Sequence, residues 1–191
     1  VIDLAADIAA GGTALQTALV VGGVELPVDT SFRAWLRFGR VARELGACDP
    51  RVLLCEPVEG WQEAAASFYA DRQELPRAAG EGTRDRTFDP DADAPLVVAA
   101  FAQAYGIDLT DSGTDMHWHL FMALLRGVPQ ETQLSRVMGY RAWAPGRRSP
   151  EAVARELRDV WALPSLTDAE ASRAVEYQAE WFGDVSYGGD E

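Results

Sequence analysis

The chain has 191 residues, 48% hydrophobic and 25% charged, a balance that suits a globular protein with enough apolar surface for one sizeable core. Its 30 acidic residues outnumber 17 basic ones, all arginine, and the formal net charge of -13 excludes the cationic footprint that nucleic acid requires. No apolar run approaches the roughly 20 residues of a membrane helix; Leu120 to Leu125, for example, ends at Arg126.

Residues 1–12 are small and weakly patterned, which predicts a mobile start or a short helix. From Leu15 to Val28 two β-forming runs, Ala18 to Val21 and Val24 to Val28, flank Gly22-Gly23. Paired glycines supply the positive φ angles of a tight turn, so this stretch reads as a β-hairpin. Asp29, Thr30 or Ser31 can cap a helix whose Phe32, Trp35, Leu36, Val41 and Leu45 recur at helical spacing, with Gly46 ending it. Residues 48–60 read as an irregular connection or one helical turn, and Trp61 to Gln73 as a short helix that docks on the first. Leu75 to Thr87 has little to bury and reads as a flexible loop.

A third helix carries Leu96, Val97, Ala100, Phe101 and Tyr105 and stops at Gly106. A fourth, Asp115 to Arg126, is apolar nearly all round and therefore buried on most sides. A fifth spans about Gln130 to Met138, ended by Gly139. Beyond it Pro145-Gly146-Arg147-Arg148 reads as a linker, and Ser149-Pro150-Glu151 opens a helix bearing Val153, Leu157, Val160 and Trp161. After Pro164 a capping box, Thr167 and Glu170, starts a last helix through about Phe182.

Few side chains offer chemistry. His117 and His119 invite a metal reading, yet two residues apart on a helix they point to nearly opposite sides, and the usual ligand spacings are missing. One imidazole is expected to bond a backbone carbonyl or carboxylate within the fold, while the other lies near the surface with Asp115 as its partner. Asp89, Asp91 and Asp93 imitate the start of a calcium loop, but Ala94 and Ala100 stand where glycine and glutamate are needed, so these acids read as helix caps. Cys48 and Cys55 read as reduced thiols rather than a zinc pair. No serine or cysteine nucleophile motif and no P-loop occurs.

The segment Phe88 to Arg141 presents in order Ala99-Ala100-Phe101, Tyr105-Gly106-Ile107-Asp108-Leu109, Met116-His117-Trp118 and Val137-Met138-Gly139-Tyr140-Arg141. This order resembles the bacteriophage gene-product-fifteen family, and Val20 to Arg33 is similar to that family's opening hairpin and helix start. Many members carry His-Trp-Trp where this chain has His117-Trp118-His119. The resemblance implies a non-enzymatic tail-assembly factor encoded near the tape-measure gene, with no catalytic residues, no metal and no cofactor. It implies as partners the tape-measure protein or other tail proteins, and a place in the host cytoplasm, or in the virion tail if the protein is structural. Residues 1–24 lack the pattern of a secretory signal, which agrees with the cytoplasm.

The expected fold is therefore mainly α with a small N-terminal β-hairpin: a hairpin-plus-helices domain over 1–144 and a C-terminal helical extension over 145–191. Trp143, Trp161 and Trp181, with Tyr140 and Arg141, are the candidate partner-binding residues, although Arg141 reads first as the ion-pair partner of an acid. The expected role is a chaperone for the tape-measure protein; the alternatives are a structural tail component and a small metal-dependent enzyme using His117 and His119. Self-association stays open.

Overall fold

A computed structural model describes residues 15–45, 48–53, 56–70, 86–142 and 151–164. Several expected features lie outside the described residues: the opening stretch, Gly46, Cys55, the loop over 75–85, the linker at 145–148 with its Ser149-Pro150 start, the 144/145 boundary, and the last helix. The described residues form a mainly helical fold with one hairpin. Its elements are β1 (Ala18–Val21), β2 (Val24–Pro27), α1 (Phe32–Leu45), α2 (Trp61–Ala70), α3 (Ala94–Tyr105), α4 (Trp118–Arg126), α5 (Gln133–Arg141) and α6 (Glu151–Val160), with a 3-10 turn at Pro50–Val52 between α1 and α2.

Contacts divide the chain into two compact units, Val1–Glu74 with Asp115–Leu124, and Leu75–Thr114 with Leu125–Glu191. In the first unit β1 and β2 pair antiparallel, Leu19 opposite Leu26 and Val21 opposite Val24. Gly22 and Gly23 turn the chain at φ 58° and 84°, two successive positive angles that a side chain would strain. Leu19 is fully buried, and β1 packs on α2, which gives the two-stranded sheet the covered face it needs to persist in water. Ser31 caps α1 by accepting the Ala34 amide, and the Asp29 carboxylate accepts the Ser31 amide.

The core of this unit is aromatic. Trp35 of α1 stacks on Phe68 of α2 at 4.4 Å. Tyr69 stacks on Trp118 at 5.1 Å, and Phe32 on Phe121 at the same separation. Offset rings in such an array add about 0.5–1.5 kcal/mol per pair to the apolar burial. Helix α4 begins three residues later than its apolar pattern suggests. Residues 116–118 are extended against 30–32, where Phe32 donates to the Met116 carbonyl, Trp118 to the Thr30 carbonyl, and Ser31 bridges His117.

In the second unit α3 packs on α5 and α5 on α6, around Val97, Ala100, Phe101, Leu134, Val137 and Met138. Gly106 ends α3 in the left-handed region at φ 67°, where its amide and that of Ile107 close on the Ala102 and Phe101 carbonyls. The fifth helix is displaced from its expected span. Thr132 caps it through the Ser135 amide, and the helix passes through Gly139 to Arg141, so Gly139 is an interior residue, not the stop.

Candidate functional site

The two histidines do not sit as helical spacing predicts. Because His117 precedes the first turn of α4, the rings come together at 5.1 Å between centroids. The His119 amide donates to His117 Nδ1 at 3.1 Å. That makes His117 Nδ1 an acceptor, so Nε2 carries the proton and donates to the Gln16 carbonyl at 2.7 Å. His119 is fully buried rather than near the surface, and its Nε2 faces the Phe68 carbonyl at 3.0 Å, in place of the expected Asp115. A carbonyl only accepts, so Nε2 carries the proton here too.

The acceptors explain the arrangement. Phe68 and Tyr69 are consecutive buried residues of α2. His119 Nε2 reaches the first and Trp118 Nε1 the second, at 3.0 Å each. Consecutive ring N–H groups at the start of α4 thus bond consecutive carbonyls of α2 and tie the two helices together. Both imidazoles donate to backbone carbonyls, and among the described residues no three His, Cys, Asp or Glu side chains gather into a group that could hold a metal ion. Burial pushes the Cys48 thiol above its ordinary pKa, which lowers its thiolate fraction.

In the second unit the polar centre is Asp93 with Arg141. Asp93 occupies the position before α3, yet its side chain makes no capping bond there. Its carboxylate instead accepts both arms of the Arg141 guanidinium, at 2.7 Å and 2.9 Å, and the Asp89 amide at 2.9 Å. Arg141 also donates to the Thr87 carbonyl at 2.9 Å and, through Nε, to the Trp161 carbonyl at 2.7 Å. Asp93 is 1% exposed and Arg141 7%, so this guanidinium is committed to internal partners. Its ion-pair role prevails over a surface one because one fork ties the start of α3, the end of α5 and the residue after α6. Asp89 closes the turn that leads into α3 rather than capping the helix itself: its Oδ1 accepts the Asp91 and Ala92 amides.

Of the other candidate partner-binding residues, Tyr140 and Trp161 are half-buried, and Trp143 and Trp181 lie outside the described residues. Helix α6 carries an apolar stripe that is only partly covered: Leu157 and Trp161 are half-buried, whereas Val153 is 55% and Val160 70% exposed. The stripe was legible as a periodicity; its exposure was not.

Among the described residues, ring donors tie α4 to α2, a buried ion pair ties segments of the second unit together, and α6 presents a partly covered apolar face. The chain belongs to the Bacteriophage Gp15 protein family, whose sequence profile matches residues 57–163. Membership supports a general, non-enzymatic role in phage tail assembly. The matched stretch includes α6 and leaves out the hairpin and α1, although Val20 to Arg33 is similar to the family's opening. Comparison with curated proteins and with solved structures gave no match. Among the described residues no helix is long and apolar enough to cross a membrane.

Proposed function

We propose that the protein is a tail-assembly chaperone that binds the tape-measure protein in the host cytoplasm and keeps that long chain from self-association until the tail forms around it. The observation that carries this reading is the α6 stripe, with Val153 and Val160 open to solvent beside half-covered Leu157 and Trp161. An apolar stripe at helical spacing is the shape an amphipathic partner helix recognises. The net charge of -13 keeps an occupied or empty chaperone soluble. Trp143, Trp181 and Tyr140 flank α6 in sequence and are assigned to the same contact. Arg141 supports it indirectly by fixing the carbonyl of Trp161.

Co-expression with the tape-measure protein tests the assignment. A complex should form, and Val153→Arg with Val160→Arg should weaken it roughly 30-fold, the equivalent of about 2 kcal/mol of lost apolar burial. Absence of a complex, or undiminished binding by the doubly substituted and correctly folded chain, refutes it. Mass spectrometry of purified virions separates this role from that of a structural tail component, since a chaperone is missing from the finished particle.

A further inference from the structure

The first unit carries a second apolar surface that the α6 reading does not use. The hairpin tip and the start of α2 enclose an open groove of about 770 Å³, walled by Val20, Val21 and Val24 on one side and by Val58, Glu59 and Glu63 on the other. In the hairpin register Val21 and Val24 are paired on the face that also bears fully buried Leu19. Leu19 meets core, whereas Val24 is 60% and Val58 39% exposed. The inward apolar face of the hairpin therefore runs past the core it covers and ends over open space. Gly60, at φ 83°, lines the same groove with its hypothetical Cβ 3.5 Å from Val21, so the turn into α2 lies close under the hairpin.

We infer that this groove docks a segment of another protein in which an apolar side chain is flanked by lysine or arginine. The apolar walls define the centre of the contact, and charge defines its rim. Glu59 and Glu63 line the groove, and both are exposed. Like charges at close quarters are repulsive, so the rim opposes a second copy of this chain, anionic lipid and nucleic acid alike. The groove is open rather than enclosed, which fits side chains from a partner surface better than a small molecule whose surface must be largely buried.

The test uses the full chain and three labelled ten-residue peptides: one alternating valine and arginine, one alternating valine and glutamate, and one alternating serine and arginine. Titrations are followed by methyl NMR. The valine-arginine peptide should bind saturably, shift the methyl signals of Val21, Val24 and Val58, and bind more tightly than either control. Glu59→Arg with Glu63→Arg should weaken it at least about fivefold, and Val24→Ser should weaken it by a similar factor. Val153→Arg with Val160→Arg should leave it unchanged, which keeps this inference separate from the α6 assignment. Equal binding of the acidic or the serine peptide, shifts that map elsewhere, no saturation, or a dimer abolished by Val24→Ser would each overturn it.

Discussion

Substituting Arg141 by Met removes the guanidinium and leaves the Asp93 carboxylate, 1% exposed, without its cation. Breaking one side of a buried pair costs about 3–5 kcal/mol, because the remaining charge is neither solvated nor paired. In a chain of this length that corresponds to a fall in melting temperature of roughly 6–20 °C. Asp93→Asn should be as damaging to the fork, although an Asn oxygen can still accept the Asp89 amide. The double variant decides the matter: with both charges gone, its loss should be smaller than the sum of the single losses by about 0.5–3 kcal/mol. The assay is hydrogen exchange at the amides of α3 and α5 together with denaturant unfolding followed by circular dichroism. Tryptophan fluorescence alone would mix the units, since Trp35, Trp61 and Trp118 all belong to the first. Single losses under about 1 kcal/mol, or a double loss equal to their sum, would show that the pair does not hold the second unit together.

Gly39→Ala should destabilise the first unit by about 1–3 kcal/mol despite the better helix propensity of alanine, because a Cβ there would lie 2.7 Å from Tyr69 Cζ; a raised unfolding midpoint would contradict this. His119→Phe keeps a ring against Phe68 but removes the donor to the Phe68 carbonyl. It should cost about 1–3 kcal/mol of unfolding free energy, and an unchanged unfolding midpoint would argue against this bond as a tie between α4 and α2.

Local signals in the sequence transferred to the structure where they were complete within a few residues. Gly22-Gly23 marked the hairpin turn, the Asp29-Thr30-Ser31 run the start of α1, where Ser31 is the cap, and Gly106 the end of α3. Errors arose where a distant partner decides the local outcome. The helical pattern from Asp115 is interrupted because the backbone at 116–118 bonds to 30–32, and this also turns the two imidazoles toward each other. Asp93 reads as a cap by position, but a guanidinium 48 residues away is the stronger partner for a desolvated carboxylate. Thr132 with Ser135 was a readable start signal for α5, obscured by the turn-forming Pro129 before it. Gly139 misled because only the positive-φ glycines, Gly22, Gly23, Gly60 and Gly106 among the described residues, occupy positions where glycine is needed for conformation. Nothing periodic distinguishes a covered apolar stripe from an open one, so the exposure of α6 and of the hairpin tip required coordinates.

The bonds from Trp118 and His119 to α2 span 49 and 51 positions, which has a bearing on how the chain is made. Joining ends that far apart carries a length-dependent entropy of about 3.5 kcal/mol, so local forces alone do not close the first unit. On a ribosome delivering residues in order, the tie between α2 and α4 waits until Trp118 and His119 have left the exit tunnel. Until then the nascent chain presents an unfinished aromatic core to whatever protein meets it first.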